Sequence, residues 1–89
     1  MNIKEILSQP EGRRLEFKAE LPVHSDLAKI VVAFANDAGG DLYIGVADDP
    51  REVVGLDEDK LMTIEEKVSN IIFDCCYPAI LPEIKFISV

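Results

Sequence analysis

Ala33-Phe-Ala-Asn-Asp-Ala-Gly-Gly-Asp-Leu-Tyr-Ile-Gly-Val-Ala-Asp48 is the stretch on which the fold turns. Just upstream, Leu27, Ile30, Val31 and Phe34 recur at i, i+3, i+4 and i+7, the spacing of a helix with one buried stripe. Ser25 is a good N-cap for that helix, which runs to Asn36 or Asp37, and Ala28, Ala33 and Ala35 allow close packing. Gly39-Gly40 stops it, because glycine takes the left-handed cap conformation without steric cost. Residues 41–46 then read as an apolar inner strand covered on both faces. Gly45 within it marks a bulge, tight packing or a close approach by another backbone or a ligand. Asp48-Asp49-Pro50-Arg51 is a turn, and residues 52–56 return as a second strand, antiparallel to the first.

Working outward, residues 2–8 read as a short helix with Asn2 as cap and Ile3, Ile6 and Leu7 on one side, ended by Pro10 and Gly12. Residues 14–18 alternate: Leu15 and Phe17 share one face of a strand, and Arg14, Glu16 and Lys18 share the other, wet face. On the C-terminal side, Asp57-Glu58-Asp59 supplies acids where a helix N-terminus favours them. Leu61, Ile64, Val68, Ile71, Ile72 and Cys75 form a second apolar stripe. Pro78 and Pro82 bracket its exit, and residues 83–89 read as a last strand, with Ile84 and Phe86 on one face. The chain stops inside that strand, so it is expected to be the N-terminal part of a longer protein. The sum is an α+β fold over residues 1–89: a small mixed sheet of about four strands packed against two main helices.

Eighty-nine residues, 48% of them hydrophobic, suffice for one core, since a chain of this size buries roughly 60% of its unfolded surface. No apolar run is long enough for a membrane span, and the opening Met1-Asn2-Ile3-Lys4-Glu5 lacks the order of a secretory signal, so a cytoplasmic location is expected. Cys75 and Cys76 are adjacent, so they make no C-x-x-C pair, and with His24 alone they make no four-ligand zinc site. They are read as buried or half-buried thiols, the alternative being a strained vicinal disulfide. The net charge of −8 is unevenly spread. Residues 1–30 hold five basic residues (Lys4, Arg13, Arg14, Lys18, Lys29) and five acidic ones, and the excess lies beyond residue 30. An acidic domain repels a phosphate backbone, so any cationic patch for nucleic acid has to come from the N-terminal third.

Three segments stand together in order and spacing: Glu11-Gly-Arg-Arg-Leu-Glu16-Phe-Lys18, the stretch 33–48, and Val53-Val-Gly-Leu56. They resemble the AlbA_2 domain of the Schlafen family, in which an E-F-K strand precedes A-F-A-N-x-x-G-G-x-L-x-I-G-V-x-D and then V-x-G. Asn36, Gly39, Gly40, Gly45 and Gly55 are the structural positions of that pattern. The resemblance implies an α+β fold and binding of DNA or RNA, commonly as the N-terminal module of a transcriptional regulator with a further C-terminal domain. Arg13, Arg14 and Lys18 are the candidate phosphate contacts, forming a small basic patch beside the strand. Three cations give weak affinity, so a homodimer or a fused domain is expected to supply avidity. A G-x-x-x-x-G-K-[ST] loop is absent, so nucleotide binding finds no motif.

The resemblance also implies a second chemistry. Schlafen relatives with ribonuclease activity use two glutamates and an aspartate at the positions held here by Glu11, Glu16 and Asp48. Three converging carboxylates hold Mg²⁺ or Mn²⁺, which polarises a phosphodiester and activates water; otherwise no cofactor is expected. The residues themselves offer a plainer account, which takes precedence. Glu16 pairs with Arg14 or Lys18 across a strand face, and Asp48 opens a turn that wants a side-chain acceptor. His24 is read as solvent-facing, and Tyr43 and Tyr77 as packing residues rather than base-stacking platforms. A third reading is a protein-interaction or oligomerisation module, with the last strand recruiting another chain at a sheet edge.

Overall fold

A computed structural model describes residues 3–12, 14–37, 39–75 and 83–88. In chain order these form α1 (Ile3–Leu7), β1 (Leu15–Lys18), α2 (His24–Asn36), β2 (Asp41–Ile44), β3 (Val46–Asp48), β4 (Arg51–Val53), a 3-10 turn (Glu58–Lys60) and α3 (Leu61–Cys75). The fold is α+β, as read from the sequence.

The α2 stripe is buried as its spacing predicts, with Leu27 fully enclosed, Val31 buried, and Ile30 and Phe34 half-buried. Its start differs from expectation by two residues. The helix begins at His24, Val23 holds the cap position without a side-chain hydrogen bond, and Ser25 sits inside the first turn, where it is past the capping position. At the other end the amides of Asp37 and Gly39 both donate to the Phe34 carbonyl, at 3.2 and 3.0 Å. Gly39 has φ +92°, a conformation open to glycine. Gly40 lies under the Phe34 ring, so closely that a Cβ there would stand 2.6 Å from ring carbons. The glycine pair thus turns the helix straight into β2.

Because α2 carries the chain back across the sheet, β1 and β2 pair in parallel, with Leu15 opposite Asp41, Glu16 opposite Leu42, Phe17 opposite Tyr43 and Lys18 opposite Ile44. The ladder extends at both ends: the Asp41 amide donates to the Arg14 carbonyl (2.9 Å) and the Gly45 amide to the Lys18 carbonyl (2.7 Å). Gly45, at φ +98°, then breaks the strand expected over residues 41–46. Its carbonyl accepts the amides of Val54 and Gly55, both at 2.9 Å. A Cβ on it would meet the Leu56 side chain at 3.2 Å and the Gly55 carbonyl carbon at 3.3 Å.

The hairpin forms one strand later than read, between β3 and β4, with Val46 opposite Val53 and Asp48 opposite Arg51. Its two-residue turn contains a cis Asp49–Pro50 peptide. The four strands therefore make two two-stranded sheets rather than one mixed sheet. Residues 83–88 are not a strand. Alternation alone supplies no hydrogen-bonding partner, and Phe86 and Ile87 are both more than half exposed.

Apolar residues gather into two clusters on opposite faces of the β1–β2 pair. On one side Leu27 and Val31 of α2 meet Ile71 and Ile72 of α3, with Leu42 and Val68 packed against them. On the other, Phe17 joins Ile6 of α1 and Val46 of β3, flanked by Leu15 and Tyr43. The period of two along the strands sends Leu42 one way and Phe17 and Tyr43 the other. Glu16 and Lys18 consequently share a face with Leu42 and Ile44 and are half-buried, so the face read as wet is only partly so. Asn2, Cys76, Tyr77, Pro78, Pro82 and Val89 lie outside the described residues, as does the Cys75 side chain. Among the described residues, no helix is long and apolar enough to cross a membrane.

Candidate functional site

The tight turn before β1 governs the N-terminal site. Gly12 and Leu15 exchange backbone hydrogen bonds, N to O at 3.1 and 3.4 Å, which folds residue 11 back along the strand. The Glu11 carboxylate there accepts the Phe17 amide at 2.8 Å. In this position Glu11 satisfies a backbone donor of β1 that would otherwise lack a ladder partner.

The hairpin delivers the opposite pole. Arg51, at the start of β4, donates from Nε (3.2 Å) and Nη2 (2.9 Å) to Oδ1 of Asp48 across the turn. Its Nη1 donates to the carbonyls of Leu7 (3.0 Å) and Gln9 (2.6 Å), at the C-terminal end of α1 where carbonyls lack helical partners. The guanidinium lies 3.9 Å from the centre of the Phe17 ring, which in turn stacks on Tyr43 at 5.5 Å between centroids. Arg51 thus ties α1, β1 and the hairpin together. The Asp48 carboxyl is held below the ordinary carboxylate range, first by the hydrogen bonds from Arg51; partial desolvation opposes this. A hydrogen bond with Glu11 and the positive charges of Arg51 and Lys18 add to the lowering.

The three acids singled out in the sequence are therefore not equivalent. Glu11 and Asp48 both lie beside Phe17, Glu11 on its amide and Asp48 on the Arg51 guanidinium that covers its ring. Glu16 pairs instead with Lys18, at 3.4 Å, as its structural reading anticipated. Carboxylate oxygens suit Mg²⁺ or Mn²⁺ in kind. In placement they do not fit: one Asp48 oxygen is engaged by Arg51 and one Glu11 oxygen by the Phe17 amide. Among the described residues no three His, Cys, Asp or Glu side chains group so as to hold a metal ion. Arg51, which sequence reasoning treated only as a turn residue, is the missed member of this site. The signal was present in the Asp48-x-x-Arg51 spacing across a two-residue hairpin turn, which sets acid and base directly opposite.

Of the basic residues, Arg13 lies outside the described residues. Arg14 is exposed, and its Nε donates to the Gly39 carbonyl at 3.3 Å, which fixes the guanidinium against the glycine turn. There it borders an open cleft of about 590 Å³ lined by Gln9, Pro10, Gly12, Leu15, Gly40 and Asp41. Lys18 is engaged by Glu16, on the far end of the strand. Asn36 is an exposed last residue of α2. The glycines at 39, 40 and 45 all serve the backbone path, and Gly55 (φ +74°) shapes the exit from β4. His24 is exposed and lines a second cleft, between residues 21–23 and the α3 residues Lys67, Asn70 and Asp74. The Tyr43 phenol is raised above its ordinary value by burial and by the charge of Asp41, and its ring is used in the Phe17 stack.

No solved structure matches the chain. The family described as Schlafen, AlbA_2 matches it over residues 11–89, all but the first ten residues, and spans both the Glu11 turn and the Asp48–Arg51 hairpin. The chain belongs to the Schlafen AlbA_2 family.

Proposed function

We propose that this chain is a nucleic-acid-binding domain of a transcriptional regulator, contacting phosphates through Arg13 and Arg14 with Lys18 as an auxiliary cation. The observation that carries the reading is the position of Arg14, exposed at the rim of the open cleft and oriented by the Gly39 carbonyl. A fixed guanidinium loses less freedom on meeting a phosphate than one on an unrestrained stem. Family membership supports the same reading. Lys18 joins the patch by exchanging Glu16 for a phosphate oxygen, so its contribution is smaller. With a net charge of −8 against these few cations, the domain alone binds weakly, and a second subunit or a fused domain supplies the rest.

Binding of labelled duplex DNA, single-stranded DNA and RNA at low salt tests this. For a duplex, each phosphate contact contributes about 0.9 to the slope of log affinity against log salt, so Arg13→Ala/Arg14→Ala is expected to lower that slope by nearly ~2. Wild type and variant with the same affinity and slope would overturn the reading. The ribonuclease reading gains nothing from carboxylates that are engaged by Arg51, Lys18 and a backbone amide. Structured RNA incubated with Mn²⁺ is expected to stay intact.

A further inference from the structure

Arg51 gathers an unusual set of acceptors: one carboxylate oxygen, from Asp48, and two backbone carbonyl oxygens, from Leu7 and Gln9. A carboxylate joined to main-chain carbonyls is the ligand chemistry of a hard divalent cation. Here the set converges on a guanidinium instead. The Glu11 carboxylate sits on the Phe17 amide while Arg51 covers the Phe17 ring and holds Asp48, so two carboxylates stand beside one fixed positive group, and Lys18 adds its charge to the same locality. A planar guanidinium spreads its charge over several donors and tolerates apolar surroundings better than a compact ion does. Stacked on Phe17, Arg51 is in addition held by an aromatic face, which offers nothing comparable to a hydrated metal.

We infer that Arg51 is the resident counter-cation of the Glu11–Asp48 pair, occupying the oxygen set a divalent ion would need and keeping that set closed to metal. Arg51 plays no part in the phosphate-contact reading, which rests on Arg13 and Arg14 and shares only Lys18 with this site. The counter-cation role turns the misfit between a metal and these carboxylates into a property of one side chain. Removing the guanidinium while keeping apolar cover on Phe17 should open the oxygen set.

The test is Mn²⁺ binding by the full 89-residue chain, read from the electron paramagnetic resonance signal of free Mn²⁺, for wild type, Arg51→Met and Arg51→Met/Glu11→Gln. Arg51→Met is expected to bind Mn²⁺ at least about tenfold more tightly than wild type, because two carboxylates lose their fixed counter-charge. The added Glu11→Gln change should abolish that gain. Equal Mn²⁺ affinity in wild type and Arg51→Met overturns the inference. Because Arg51→Met removes a structural clamp, a second measurement uses wild type alone: Mn²⁺ broadening of amide resonances in an NMR spectrum. Absence of selective broadening at Phe17 and Asp48 is the expected result, whereas selective loss of those signals shows a metal seated beside Arg51 and sinks the inference even if the variant fails to fold.

Discussion

Arg51 donates to three oxygens, two from the end of α1 and one from the hairpin, and Asp48 is the one of them that titrates. The folded protein holds the Asp48 carboxyl below the ordinary range of an aspartate, chiefly through these hydrogen bonds. A carboxyl lowered on folding contributes stability that is present above its unfolded value and lost as the pH falls through its folded one. Asp48→Asn is accordingly expected to be less stable than wild type near neutrality, with the gap closing as the pH falls below the unfolded carboxyl value of about 4 and on through the lower folded one. Thermal midpoints measured from pH 2 to 7 check this, and a gap that persists unchanged at the acid end contradicts the assignment.

At the level of elements, the helix-to-strand turn depends on ring and backbone sharing a space. A Cβ at residue 40 would stand 2.6 Å from the Phe34 ring, so the ring at the end of α2 has to move. Gly40→Ala is expected to cost about 1–3 kcal/mol by forcing that repacking, which denaturant unfolding would measure, whereas Gly12→Ala meets nothing within 4 Å. This turn was legible from the residues, because a 3.6-residue stripe ending in two glycines before an apolar run admits few other paths. The break at Gly45 was half legible: the glycine signalled a close approach, but only the tertiary arrangement shows that its carbonyl receives two amides from beyond the hairpin. The start of α2 was misread because Ser25 has the chemistry of a cap, while Val23, with none, takes the position. The last strand was misread because periodicity describes faces and is silent about partners.

Across the whole molecule, two apolar clusters grip the β1–β2 pair from opposite sides, and most of their members were visible in the periodicity. Leu27 is the fully enclosed residue of the helical cluster. Leu27→Ala is expected to cost about 2–5 kcal/mol, a large part of the stability of a small domain, and calorimetry should show a much lowered or lost transition. The carboxylate site was less legible, since the acids were found from their order along the chain while the cation that governs them lies 40 positions from Glu11. That separation bears on how the chain assembles. A helix of five residues such as α1 has no independent stability in water, and its exposed carbonyl end is received by a side chain that arrives only with the hairpin. Residues 3–7 would therefore stay unstructured until residue 51 is made and the hairpin has closed, so that α1 is the last part of this end of the molecule to acquire its shape and the first to give it up.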